Sequence, residues 1–329
     1  MKIGINYIFF KKNYKGGIYT FSSGLIKGLE SNLKDKDQLI FFSCYDLDLN
    51  DLNSNYKIIK INKIYIFFYI LLKFSTIFKI KIFSLFLSKI FFFNIKRIIE
   101  RECDIYYCPS SYLFPFDLNI KSFVSIHDLQ YLRLKKNFSN YEFNLQKIFF
   151  YYSITKATSI QASSNFIKND ILNNFKVNSN KIIIINEGVD ENKFSRNKTI
   201  KESEKFFFYP AQVWPHKNHR YIIEAFNRAL KIEKNIRLVM TGHNFMKLNF
   251  SQHIKSKNIE YKGLVNQNEL NYYYNCCEYV ISGASYESSS LPILEGISMG
   301  KKILATDIGP NIELSKFFKI NYFSLTDIK

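Results

Sequence analysis

Apolar positions in the first half of the chain fall into short runs, separated by stretches in which they recur every three or four residues. The runs predict strands at residues 2–8, 39–43, 104–108, 122–126, 159–163 and 181–185. Residues 16–29, opening on a glycine pair, have helical spacing. Residues 196–205 are polar and lack strand character, and the pattern then restarts. Strands are expected at 206–209, 236–241, 258–261, 279–282 and 302–305, with a late one at 321–325. Helices are expected at 219–230, 268–276 and 292–299. Runs alternating with helices predict parallel sheets wrapped by helices, and no repeat of solenoid length is present. The domains expected are 1–195 and 206–329, joined by a linker at 196–205.

Residues 64–99 depart from this pattern. They are dense in Phe, Ile and Leu, interrupted by Lys73, Lys79, Lys81, Lys89, Lys96 and Arg97. A bilayer span needs ~20 apolar residues with few charges, and no uncharged piece here is that long. The stretch predicts one or two helices whose apolar faces either pack inward or lie on a membrane, with lysines reaching the headgroups. Both readings stay open at this point.

Hydrophobic residues make up 47% of the 329 positions, enough to build real cores and to exclude a disordered chain. The net charge of +18 favours anionic partners such as nucleic acid, anionic lipid or phosphorylated substrates, although much of it reads as a solvated lysine-rich surface. No RNA- or DNA-reading motif accompanies it, so nucleic acid is not expected. The five cysteines show no metal-ligand spacing and no paired framework, which fits a reducing cytoplasm. The apolar start lacks the order of a secretory signal and reads as a first strand.

Two segments carry candidate chemistry. In Glu287-Ser288-Ser289-Ser290-Leu291-Pro292-Ile293-Leu294-Glu295, Pro292 suits a first helical turn and Gly300 a helix stop. A helix start presents unbonded N–H groups and the positive dipole end, so it binds phosphate, and the serines add hydroxyl donors. Glu287 and Glu295 flank that start, with carboxylates able to accept from sugar hydroxyls. An ordinary helix cap would explain the segment taken alone. Upstream, Gln212 to His219 follows a strand and opens a helix, and Lys217 there is placed to reach a diphosphate. By contrast, Asp46-Leu47-Asp48 has the form of a metal-binding pair but falls in a polar loop and reads as solvated.

In order along the chain, Gly16-Gly17-Ile18, residues 104–109, His127-Asp128, Ala162-Ser163-Ser164, Glu187-Gly188-Val189-Asp190, Lys217-Asn218, Thr241-Gly242, Lys262-Gly263, Glu287 to Glu295 and Asp307-Ile308-Gly309 resemble the large retaining glycosyltransferase family 4. The Glu-x7-Glu spacing is that family's signature. The resemblance implies a GT-B fold, with two Rossmann-like domains facing across a cleft, and transfer of a hexose from a nucleotide sugar with retention. It implies no cofactor and no metal. Catalytic roles would fall to His127, Glu287 and Lys217, and donor contacts to Gly16, Gly17, Gln212, Lys217, Ser289, Ser290, Leu291 and Glu295. The acceptor implied is a saccharide or lipid-linked saccharide of surface polysaccharide, with the enzyme peripheral on the inner face of the cytoplasmic membrane. Three departures bear on activity. Gln212 stands where the family often has Arg, so either His216, His219 or Arg220 compensates or diphosphate binding is weaker, and Ser289-Ser290 stand where the family usually has Phe-Gly. The chain also stops at Lys329, where the family continues, so a shortened, impaired relative acting as a binding subunit is the alternative.

Overall fold

The computed structural model describes residues 1–10, 17–47, 49, 56–190, 193–196, 206–244 and 246–325. The chain forms two compact units, Met1–Asn186 and Glu187–Lys329. The second begins ahead of the expected linker, most of which lies outside the described residues. Residues just after Glu187 belong to the second unit's packing: Phe194 is buried edge-on against Tyr274, and Arg196 Nε donates to the Ser298 carbonyl.

The first unit contains strands β1 (Lys2–Asn6), β2 (Gln38–Ser43), β3 (Tyr56–Lys60), β4 (Ile105–Cys108), β5 (Lys121–Ile126), β6 (Ser159–Ala162) and β7 (Ile182–Ile184). All pair in parallel, in the order β3-β2-β1-β4-β5-β6-β7. Between them run α1 (Gly17–Glu30), α2 (Ile64–Ser75), α3 (Lys81–Phe91), α4 (Phe93–Glu102), α5 (Gln130–Arg133), α6 (Asn140–Lys156) and α7 (Asn165–Asn174). Central strands are buried on both faces, as in Leu39 to Ser43, which explains their continuous apolar runs. The core between sheet and helices is strongly aromatic, with Phe92, Phe114, Phe116 and Phe149 meeting edge to face.

The second unit restarts the same plan with β8 (Phe207–Pro210), β9 (Leu238–Thr241), β10 (Ile259–Tyr261), β11 (Tyr279–Ser282), β12 (Lys302–Thr306) and β13 (Ile320–Phe323). Its order is β10-β9-β8-β11-β12-β13, again all parallel. The helices are α8 (His219–Ala229), α9 (Gln267–Cys276), α10 (Leu291–Ser298) and α11 (Gly309–Leu314). Asn266 and Glu269 close a reciprocal capping box at the start of α9.

Sequence reading missed β3, whose residues are mostly exposed at the sheet edge and lack a buried run. Residues 64–102 form three helices rather than one or two, because Lys79 takes a left-handed turn and Phe92 breaks helical geometry.

Candidate active site

In the second sheet the chain order reverses between β8 and β11. At such a switch point the turns leaving the carboxyl ends diverge and open a crevice, where parallel sheets bind ligands. The turn after β8 carries Lys217 and the turn after β11 carries Glu287. Asn218 adopts a left-handed conformation (φ 56°), which brings the first turn back under the second. Its amide donates to the carbonyls of Gly283, at 2.8 Å, and His216, at 3.1 Å. The Ser285 N–H donates to the His216 carbonyl at 2.8 Å. Gly283 permits this approach, since a Cβ there would stand 2.8 Å from Ile222. Lys217 then forms an ion pair with Glu287, the two side chains only 15% and 13% exposed. The Tyr209 hydroxyl holds the Lys217 carbonyl from beneath.

Beside this pair α10 begins, with Pro292 in its first turn and no side chain capping its start. Pro292 has no N–H and those of Ile293 and Leu294 donate to the Ser290 carbonyl, so within the first turn of α10 it is the Leu291 N–H that is left to meet an anion. The serine hydroxyls do not all join it. Ser290 is buried, and its Oγ lies 3.3 Å from Ser282 Oγ, because a buried hydroxyl needs a partner. Only the backbone at Ser290 remains available to an anion.

Glu295, a turn inside α10, faces Tyr274 of α9, whose hydroxyl donates to Glu295 Oε2 at 2.5 Å. Burial raises the Glu295 carboxyl from 4.5 to about 7, against the lowering effects of the Tyr274 hydroxyl and Lys193. Neither Tyr274 nor Lys193 was singled out from sequence. Tyr274 sits one helical turn beyond Leu270 on the inward side of α9, and that spacing was the available signal.

Gln212 is in place but committed locally: its Oε1 accepts the His243 N–H at 2.8 Å, fastening the turn after β9. Of the three residues offered in place of the missing Arg, the two imidazoles carry no charge near neutral pH. Burial, with Lys217 nearby, depresses His216 to about 3. Burial likewise lowers His219 to about 4, and its ring packs against Tyr209 and Phe250. Both imidazoles are neutral near pH 7. Arg220 pairs with Glu224 at 2.7 Å along its own helix.

The first sheet reverses between β1 and β4. His127 follows β5 and reaches toward that switch point, its Nε2 2.7 Å from the carbonyl of Pro109, which follows β4. Phe21, one turn into α1, packs edge-on against the His127 ring at 4.6 Å. The α1 start and His127 therefore meet at one end of the sheet. Gly17 is the first residue of α1, and Gly16 lies outside the described residues. So does Asp48, while Asp46 is tied to Lys60 at 2.7 Å on the surface.

Two parallel α/β units, each with its candidate residues at a switch point, define the GT-B class of glycosyltransferase folds. Residues 190–322, which lie within the second unit, match the family model described as glycosyl transferases group 1. The chain is 26% identical over 227 residues to an uncharacterized glycosyltransferase of Methanocaldococcus jannaschii, covering 65% of this chain and 59% of that one. It is 21% identical over 193 residues to the O-antigen chain mannosyltransferase of Salmonella typhimurium, covering 56% and 52%. The matched part thus spans little more than half the length of these relatives. A crystal structure of TarM superposes with a TM-score of 0.70 at 13% identity, covering 99% of this chain and 89% of that one. Another, of S. aureus TarM with fondaparinux, alpha-GlcNAc-glycerol and UDP, gives 0.57 at 19% identity, covering 74% and 50%.

Proposed function

We propose that the protein is a retaining hexosyltransferase of the family 4 type, moving a hexose from a nucleoside diphosphate sugar to a saccharide or lipid-linked acceptor of surface polysaccharide. The observation that carries this reading is the ion pair of Lys217 and Glu287 across the β8/β11 switch point, beside the uncapped start of α10. UDP in the S. aureus TarM complex supports a nucleotide donor. The Salmonella relative, an O-antigen chain mannosyltransferase, supports the polysaccharide setting.

In this reading the diphosphate lies against the backbone N–H groups from Ser289 to Leu291, and Lys217 neutralises the charge that grows as the glycosidic bond breaks. Glu295 accepts from the ribose hydroxyls, Glu287 from the donor sugar, and His127 hydrogen-bonds the transferred sugar. The acceptor hydroxyl attacks from the face the diphosphate leaves. Its proton passes to the departing phosphate oxygen, so configuration at the anomeric carbon is kept. With the phosphate charge met by Lys217 and a helix start, the reaction needs neither metal nor cofactor. The work is placed at the inner face of the cytoplasmic membrane, peripherally.

The test is a panel of nucleotide sugars, read first by thermal shift and then by transfer with EDTA present, the product anomer assigned by NMR. The reading expects stabilisation by one donor class and a retained α-linkage from an α-linked donor. An inverted product, or activity abolished by EDTA and restored by Mn²⁺, would overturn the mechanism. Donor binding without transfer or hydrolysis would instead support a binding subunit.

A further inference from the structure

The helical hairpin formed by α2 and α3 packs Leu72, Tyr69 and Leu85 toward the core, but it lines part of its inner seam with hydroxyls and turns other large apolar side chains outward. Its buried positions include Ser75, Thr76, Ser84 and Ser88, at most 4% exposed. The Ser75 and Ser84 hydroxyls meet across the hairpin at 3.0 Å, and those of Ser75 and Thr76 also bond back to Leu72 and Lys73 carbonyls. Meanwhile Phe74, Phe78, Ile82, Phe86 and Ile90 point outward, with Ile82 at 78% exposure and Phe78 at 65%. Half of all exposed large apolar side chains among the described residues fall between Ile64 and Phe93. A helix pair seeking a water-facing surface would place these residues the other way round, since each exposed large apolar group forgoes its burial. Soluble chains rarely expose so large a contiguous apolar patch without a partner for it.

Charge and length identify the partner. Residues 61–99 contain seven basic residues and no acidic one. Lys63, Lys79 and Lys89 are exposed beside the apolar side chains. Lys73 and Lys81 are steadied over the rings of Tyr69, at 4.5 Å, and Tyr151, at 3.6 Å. At 12 and 11 residues the two helices are too short to cross a bilayer, and no helix among the described residues is long and apolar enough to do so. An outward apolar face ringed by lysines on short helices suits the interface of an anionic bilayer: side chains enter the acyl boundary and ammonium groups meet lipid phosphates. The base of the hairpin is anchored in the aromatic core through Tyr69, which packs on Phe114 and Phe149. Insertion therefore fixes the first unit on the surface rather than a loose tail.

We infer that α2 and α3 form a lipid-inserting hairpin that holds the first unit on an anionic membrane by its outward Phe and Ile side chains. This deepens the peripheral placement proposed above; its test reads vesicle binding rather than transfer, so the two readings can fail separately. The full chain is floated with vesicles of phosphatidylcholine alone and of phosphatidylcholine with phosphatidylglycerol. Wild type is expected to partition onto the anionic vesicles at least tenfold better than a Phe78→Asp, Ile82→Asp, Phe86→Asp variant. Those positions are exposed, so circular dichroism should show the variant folded. A second variant, Phe78→Trp, adds a fluorophore at the tip, which brominated acyl chains should quench beyond the Trp214 signal of wild type. Equal vesicle binding by wild type and the triple Asp variant would overturn the inference. So would an introduced tryptophan that stays unquenched on bound protein, or a stable dimer in sedimentation that the Asp variant dissolves without any vesicle binding by wild type.

Discussion

Lys217 concentrates the electrostatic argument in one side chain. His216 and His219 are neutral near pH 7, so in the proposed reaction Lys217 meets the leaving diphosphate without charge from either imidazole. A charge that interacts most strongly in the transition state acts on rate. Lys217→Ala is expected to lower kcat about a hundredfold, equivalent to ~3 kcal/mol, with Lys217→Arg recovering part of it. Steady-state transfer measures both, and near-normal kcat in folded Lys217→Ala would remove it from the role. Glu295 yields a prediction in pH. Its carboxyl is raised by burial from 4.5 to about 7, so its contribution to stability is full below pH 4.5 and is lost as pH rises through about 7. The loss amounts to roughly 3 kcal/mol. Glu295→Gln cannot ionise and should flatten that fall in melting temperature across the same range; parallel curves would refute it. If ribose hydroxyls need the carboxylate, donor affinity climbs with pH through about 7. The Tyr274 hydroxyl favours the ionised form, so Tyr274→Phe should move the affinity midpoint to higher pH. An unmoved midpoint by calorimetry would mean that Tyr274 is only packing.

The turns after the strands are where whole elements depend on single positions. Gly242, after β9, has φ 133°, and a Cβ there would lie 2.1 Å from the Ala211 carbonyl oxygen. Gly263 also has positive φ, at 69°, but nothing lies within 4 Å of its Cβ position. Gly242→Ala is therefore expected to cost on the order of 3 kcal/mol, and Gly263→Ala about 1 kcal/mol. Urea unfolding midpoints measure the difference, and equal losses would contradict the steric account. Strands with continuous buried runs were legible because parallel sheets covered on both faces need them. The edge strand β3 was not, because its exposed positions carry no such run. The helix at Leu291–Ser298 was legible from Pro292 and Gly300. The inward turn of the Ser290 hydroxyl was not, because its partner Ser282 belongs to another element.

At the scale of the whole molecule, two units with separate sheets and cores should unfold as separate cooperative blocks. The single tryptophan, Trp214, lies in the second unit. Its fluorescence is expected to follow that unit alone, while far-ultraviolet circular dichroism follows both. Two non-coincident urea transitions would result, and superimposable curves would show one block instead. The two-unit plan was readable from sequence because alternating runs and helical spacing are local signals that repeat. The candidate residues Lys217, Glu287 and Glu295 were readable because a helix start, a proline and two carboxylates at fixed spacing occupy one short segment, with the lysine in a second turn of the same kind. Tertiary structure alone decided which of them meet. The pairing of Lys217 with Glu287 spans 70 positions, and the burial that raises Glu295 comes from packing around Tyr274 and α10. The outward face of α2 and α3 was likewise open in sequence, since an apolar helix reads the same whether its stripe faces a core or a lipid surface. Only the packed positions of Ser75, Thr76, Ser84 and Ser88 show that Phe74, Phe78 and Ile82 turn outward, because burial depends on neighbours that local spacing does not name.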